Sequence, residues 1–219
     1  MNSYTEENYL KAIYHLSANG QDSVSTNSIA AVMNTKAASV TDMLKKLFEK
    51  KLINYARYQG VSLTGDGRLV AVNIIRKHRL WECFLVDKLH FKWDEVHDLA
   101  EELEHITSPE LIARLDKFLG HPRFDPHGDP IPDTSGHINN YQLKPVASLL
   151  IEQGGIIMGV GEHTPQFLQY LEKTKLIIGN RVKVMDVVEY DQSVLIKLND
   201  ADVFSISRDV AKNILVKHG

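Results

Sequence analysis

Residues 26–63 read TNSIAAVMNTKAASVTDMLKKLFEKKLINYARYQGVSL, and this stretch decides the N-terminal fold. Ile29, Ala30 and Met33 fall at helical spacing within Thr26 to Met33, and Asn34-Thr35-Lys36 interrupts the pattern with polar, turn-forming residues. The next run places Val40, Leu44, Leu47 and Phe48 on one face, with Lys45, Lys46, Lys50 and Lys51 distributed around it. A short helix, a tight turn and a longer helix with basic exposed positions is the order of a helix-turn-helix. After Leu52-Ile53, two short β-prone runs flank Gln59-Gly60, which reads as a hairpin wing.

Upstream, Tyr9, Leu10, Ile13 and Leu16 give Glu6 to Leu16 a helical apolar face, with Thr5 as a candidate cap. Downstream, Thr64-Gly65-Asp66-Gly67 introduces a long helical pattern from about Arg68 to Leu89, and a further helix is expected from Asp94 to about Ile106. Ser108-Pro109 supplies a cap and first-turn proline for another, whose apolar face is Leu111, Ile112, Leu115, Phe118 and Leu119. Helices that follow a DNA-reading unit in this way suit a dimer interface. From Gly120 to Pro145 the composition shifts to Gly, Pro, Asp and His, as in a flexible connector. The remainder alternates β-like runs (146–151, 181–188, 193–198, 203–206) with a short helix near Gln166 to Thr174, and a compact barrel is expected. The fold class is therefore mainly α with β: a winged-helix domain at 1–73, a helical metal-binding and dimerisation domain at 74–140 and a small β-barrel domain at 141–219.

The 219 residues carry a formal charge of −3, unevenly placed. Residues 1–77 hold 10 Lys or Arg against 6 Asp or Glu, so a nucleic-acid footprint belongs at the N-terminal end. No apolar run approaches the roughly 18 residues of a spanning helix, and neither end reads as a secretory signal; a cytoplasmic protein with no membrane partner is expected. Cys83 is the only cysteine, which excludes an intrachain disulfide and a cysteine-rich zinc cluster.

His97, Glu101, Glu104 and His105 sit at helical offsets of zero, four, seven and eight and share a broad face. Imidazoles and carboxylates at that spacing can converge on one divalent cation. The preceding helix offers His78 and Glu82, four apart, and the connector offers Asp125, His127 and Asp129. This donor chemistry suits Mn2+ or Fe2+, with no thiolate cluster to select zinc, although Zn2+ can bind such ligands in vitro. A two-metal hydrolase would use the same residue types. The adjacent basic helix-turn-helix, and the lack of a nucleophile motif or phosphate-binding glycine signature, argue for a regulator and against an enzyme.

Taken together, TEENYLKAIYHL, KLFEKKLI, LTGDG, RKHRLWECFLV, VHDLAEELEH and PHGDPIP resemble, in order and separation, the diphtheria-toxin-repressor family of metal-dependent transcriptional regulators, especially its manganese-responsive branch. The resemblance implies that His78, Glu82 and His97 match one regulatory metal site and that Glu101, Glu104 and His105, with Asn8 on the first helix, match the other. Lys11 stands where some manganese regulators place a second acidic ligand, so their paired-metal geometry does not transfer unchanged. Glu101 stands where the iron-type branch has cysteine, which favours Mn2+, with an Fe2+-responsive repressor of iron uptake as the alternative. Asp125 and His127 match ancillary ligands of some relatives, and His163 and Gln166 match the segment contributed by an SH3-like C-terminal domain.

For DNA, Lys36, Lys45 and Lys46 are candidates for phosphates. Ala37 or Ala38 suits a thymine methyl, Ser39 or Asp42 is placed to approach a base edge, and Thr41 is a further accessible candidate. Arg57 and Tyr58 belong to the expected wing. The implied partners are a double-stranded pseudo-palindromic operator and a second copy in a homodimer, with metal tying Asn8 to the acidic face so as to repress metal-uptake genes.

Overall fold

The computed structural model describes residues 2–17, 20, 22–56, 60–139 and 141–218, with the backbone alone for Ala56 and His218. The expected wing contacts Arg57 and Tyr58 lie outside the described residues. Helix α1 (Tyr4–Leu16) starts two residues earlier than its apolar pattern suggests, because Ser3 and not Thr5 caps it. The Ser3 hydroxyl accepts from Glu6 N, and the Glu6 carboxylate accepts from Ser3 N, a reciprocal box that satisfies two otherwise unpaired amides. Helices α2 (Thr26–Val32) and α3 (Ala37–Glu49) follow, then strands β1 (Ile53–Ala56) and β2 (Gly60–Leu63), paired antiparallel with Ile53 opposite Leu63. Leu10, Ile13, Ile29, Val40, Leu44, Leu47, Ile53 and Val61 are buried together, so the periodic residues of three helices and both wing strands share one core. This is a winged helix-turn-helix.

Helix α4 (Gly65–Leu89) is launched from that core by Thr64. The Thr64 hydroxyl donates to Lys51 O and accepts from Gly67 N, while Thr64 N donates to Leu52 O. Gly67 is needed here for room: a Cβ on it would lie 1.8 Å from Leu52 O. Helices α5 (Val96–Leu103) and α6 (Pro109–Phe118) follow, and Leu111 N donates to the Ser108 hydroxyl at the start of α6, as a cap should. Helix α5 stops at Leu103, short of the expected Ile106, so Glu104 and His105 belong to the turn after it and not to a continuous helical face.

The chain divides into two compact units. The first takes the residues up to Trp81 with Ala100–Phe118 and Ile131–Ile138; the second takes Glu82–Leu99, Leu119–Pro130 and the residues from 139 onward.

The C-terminal part corrects the expected SH3-like barrel. Strands β3 (Lys144–Pro145), β4 (Gly154–Val160), β5 (Arg181–Val187), β6 (Val194–Leu198), β7 (Asp202–Ile206) and β8 (Ile214–His218) form one antiparallel sheet in the order β3-β8-β4-β5-β6-β7. Closing a barrel requires the two outer strands to pair. Among the described residues β3 pairs only with β8 and β7 only with β6, so the sheet is open. The edge β3 is two residues long and includes Pro145, which has no amide to donate. Closure of the core falls instead to helices: Phe167, Leu168 and Leu171 of α7 (Pro165–Thr174) and Ala211 of α8 (Arg208–Asn213) pack with Ile157, Val182, Val184, Val194 and Ile196. The run 146–151, expected as β, is a 3-10 turn at Val146–Ser148 that buries Val146 and Leu149 and leaves Leu150 and Ile151 exposed.

The clash at Gly67 gives a stability test. Gly67→Ala should lower stability by about 1–3 kcal/mol, the usual range for overpacking. Gly65→Ala, with nothing within 4 Å of its Cβ, should be neutral or stabilising. Thermal melts of the two variants that coincide would show that the approach of Leu52 O to Gly67 is unimportant.

Candidate metal centre and nucleic-acid interface

Within the second unit, Glu82 near the end of α4 meets Asp125 and His127 of the connector, all three buried, with ligand atoms within 4.8 Å of one another. The connector reaches this position as an ordered turn. Asp125 Oδ1 accepts from the amides of His127 at 2.8 Å and Asp129 at 3.0 Å, Gly128 N donates to Asp125 O, and Phe124 bridges Pro130. Gly128 adopts φ +89° beneath β4, where a Cβ would lie 2.0 Å from Met158 O; only glycine serves both needs.

The His127 ring is oriented from behind. Its Nε2 lies 2.8 Å from Trp93 O, a donor's position against a carbonyl, and its Nδ1 lies 3.6 Å from Glu82 Oε2. A backbone carbonyl holding one ring nitrogen while the other faces carboxylates is the usual support of an imidazole metal ligand. His97, more than half exposed, brings Nδ1 to 3.7 Å from Glu82 Oε1. The His163 ring is 4.9 Å from that of His127, with its Nε2 4.0 Å from Asp129 Oδ2, whereas Gln166 is exposed in the first turn of α7. Buried carboxylate oxygens and imidazole nitrogens fit a divalent first-row cation.

Within the first unit, His78, one turn before Glu82 on α4, has its Nδ1 2.7 Å from Glu104 Oε2. Glu104 Oε1 accepts from Lys11 Nζ at 2.6 Å, and Glu101 Oε1 lies 3.2 Å from the same ammonium. His105 Nδ1 lies 2.7 Å from Glu7 Oε2, and Tyr4 stacks on its ring at 4.7 Å. Burial would raise the Glu104 carboxyl, but the hydrogen bond from His78 and the charge of Lys11 hold it below the ordinary glutamate value. Sequence reading overlooked Lys11 as a partner of Glu101 and Glu104, and Glu7 as a partner of His105. The spacing was available: Glu7, Asn8 and Lys11 share one face of α1.

Lys36, just before α3, and Ala37, Ala38, Ser39, Asp42, Lys45 and Lys46 on it are exposed, and Thr41, whose hydroxyl donates to Ala37 O, is half-buried. Asp42 is paired with Lys45 at 3.1 Å, which reduces its repulsion toward a polyanion. The far end of α3 is tied to α1 by Lys50 Nζ, 2.7 Å from Glu6 Oε2.

Comparison with known proteins defines the class. Residues 1–61 match the N-terminal DNA binding domain of the iron dependent repressors, residues 64–133 match their metal binding and dimerisation domain, and residues 144–218 match the FeoA domain. The iron-dependent repressor IdeR of Mycobacterium tuberculosis is 35% identical over 128 residues, 58% of this chain and 55% of IdeR, so the chain aligns with about half the length of that relative. The diphtheria toxin repressor of Corynebacterium diphtheriae is 29% identical over 224 residues, covering 97% of this chain and 96% of that protein. A solved manganese-dependent transcriptional repressor in complex with manganese superposes with a TM-score of 0.85 at 32% identity, over 98% of this chain and 100% of the other. The chain belongs to the diphtheria-toxin-repressor and iron-dependent-repressor family of metal-dependent, DNA-binding transcriptional regulators, which are not enzymes. No helix among the described residues is long and apolar enough to cross a membrane.

The Glu82–His127 pair carries a pH signature. Burial pushes the His127 imidazole down, but Glu82 and Asp125 outweigh it and raise its value from 6.5 to about 9. A raised folded value means that the pair's stabilisation is complete below pH 6.5 and is lost as pH rises through about 9. Imidazole NMR titration of metal-free protein should show Glu82→Gln lowering the His127 value by about one pH unit or more. An unmoved titration curve would remove Glu82 as its partner.

Proposed function

We propose that this chain is a homodimeric repressor that binds a pseudo-palindromic duplex operator when loaded with Fe2+. The observation that carries this reading is the buried convergence of Glu82, Asp125 and His127, in a chain that also presents a winged helix with exposed lysines. Both family matches over residues 1–61 and 64–133 are to iron dependent repressors, and the relative at 35% identity is an iron-dependent repressor. These similarities favour iron over the manganese reading of the sequence. Glu82, Asp125 and His127 would supply the donors, with His97 and His163 beside them. A bound divalent cation would supply the positive charge that lets these carboxylates stay together at neutral pH.

Mn2+ is the second reading, favoured by a donor set of oxygens and nitrogens alone. The Cys83 thiol is buried, its sulfur is 3.5 Å from Phe124 O, and burial with nearby carboxylates pushes its pKa up, so it offers no thiolate. Zn2+ binding in vitro is compatible with either reading, because raw affinity rises along the first-row series and selectivity must come from geometry and supply.

On DNA, Lys36, Lys45 and Lys46 would meet phosphates, while Ala37, Ala38, Ser39, Thr41 and Asp42 face base edges from the first turns of α3; Arg57 and Tyr58 would serve the wing. Whatever preference the metal has for the DNA-competent form, DNA returns to the metal.

The test is anaerobic fluorescence anisotropy on a duplex enriched in vitro with metal-loaded protein. Fe2+ should tighten binding at least tenfold, about 1.4 kcal/mol, and Glu82→Gln should remove that gain. Lys45→Ala should weaken binding evenly across sequences and reduce the salt slope by about 1. Activation by Mn2+ and not by Fe2+ would establish the second reading; equal affinity with and without either ion, in folded protein, would contradict both.

A further inference from the structure

The Glu101–Glu104 face already holds a cation, and it is part of the protein. Lys11 Nζ lies 2.6 Å from Glu104 Oε1 and 3.2 Å from Glu101 Oε1, with only 15% of the Lys11 side chain exposed. The other oxygen of Glu104 is engaged by His78, and His105 is engaged by Glu7 and stacked under Tyr4. Of the donors that the family resemblance assigns to a metal here, Asn8 is the exception. Its Oδ1 is buried without a hydrogen-bond partner among the described residues, and a single neutral amide oxygen is a poor site by itself.

These residues do not fit a divalent ion while Lys11 is in place. An ammonium within hydrogen-bond distance of both carboxylates repels a second cation and occupies one oxygen of each. We propose that Lys11 is the resident cation of this face: it fastens α1 to the turn after α5 without metal, and a divalent ion can enter only by expelling it. Lys11 is then a positioning residue for the DNA-binding unit. Metal response is left to the Glu82, Asp125 and His127 cluster, which is independent of this claim.

The experiment uses full-length protein. Mn2+ stoichiometry is read by the electron paramagnetic resonance of free ion, and α1 is followed by hydrogen exchange with mass spectrometry. In the wild type, Glu101→Gln should leave Mn2+ stoichiometry unchanged, and Mn2+ should leave α1 protection unchanged. Lys11→Met should exchange α1 amides about tenfold faster without metal, as expected when a partner of a buried carboxylate is lost. It should also gain one Mn2+ equivalent per chain, abolished again by Glu101→Gln, and Lys11→Arg should behave as wild type. Loss of an equivalent from the wild type on Glu101→Gln would overturn the proposal even if Lys11→Met fails to fold. So would a folded Lys11→Met that changes neither readout. Absence of any equivalent lost on Glu82→Gln would instead count against the preceding functional reading, leaving the α1 result to stand or fall separately.

Discussion

Glu104 has no exposed side-chain surface and must keep its charge. A lone buried carboxylate is costly, and removing one partner of a buried pair typically costs about 3–5 kcal/mol. Its partners come from two helices distant in sequence, Lys11 on α1 and His78 on α4. Satisfying one carboxylate therefore fixes α1 against α4 and the turn after α5. The Lys50–Glu6 pair carries the constraint onward to the end of α3, so the helix that presents side chains to DNA is linked through α1 to the acidic face. Charge pairing, added to a shared apolar core, determines where the recognition helix sits within its unit.

The winged helix was legible because its signals are local and agree with one another: helical periodicity in α1, α2 and α3, a polar break at 34–36, and the Thr64 to Gly67 punctuation at the start of α4. The C-terminal sheet was less so. Short β-prone runs reveal strands but not how the outermost ones end, and a two-residue edge containing Pro145 leaves no periodic trace of whether a barrel closes. Val146 and Leu149 look apolar in either conformation, yet their spacing of three serves a 3-10 turn. Strand β4 was hidden by Gly154, Gly155 and Gly159, residues that normally argue against a strand; a Cβ at Gly155 would lie 2.3 Å from Lys217 O on the neighbouring β8.

Ligand-type residues were visible as a set but not as partnerships. Helical offsets put Glu104 and His105 on one face with His97, whereas α5 ends before them and His78 approaches Glu104. Asp125 and His127 carried weak spacing signals separately; a turn built on Asp125 and Gly128 brings them to Glu82, and the Trp93 carbonyl orients the ring. Two carboxylate clusters thus have different solutions to their charge. One includes a lysine, and the other has an imidazole that is readily exchanged for a metal bond once deprotonated.

Anomalous diffraction from crystals grown with Mn2+ tests this division most directly. The account predicts an ion coordinated by Glu82, Asp125 and His127, and Lys11 Nζ still against Glu101 and Glu104. An ion bound by Glu101 and Glu104, with Lys11 turned away and the Glu82 cluster empty, would contradict it.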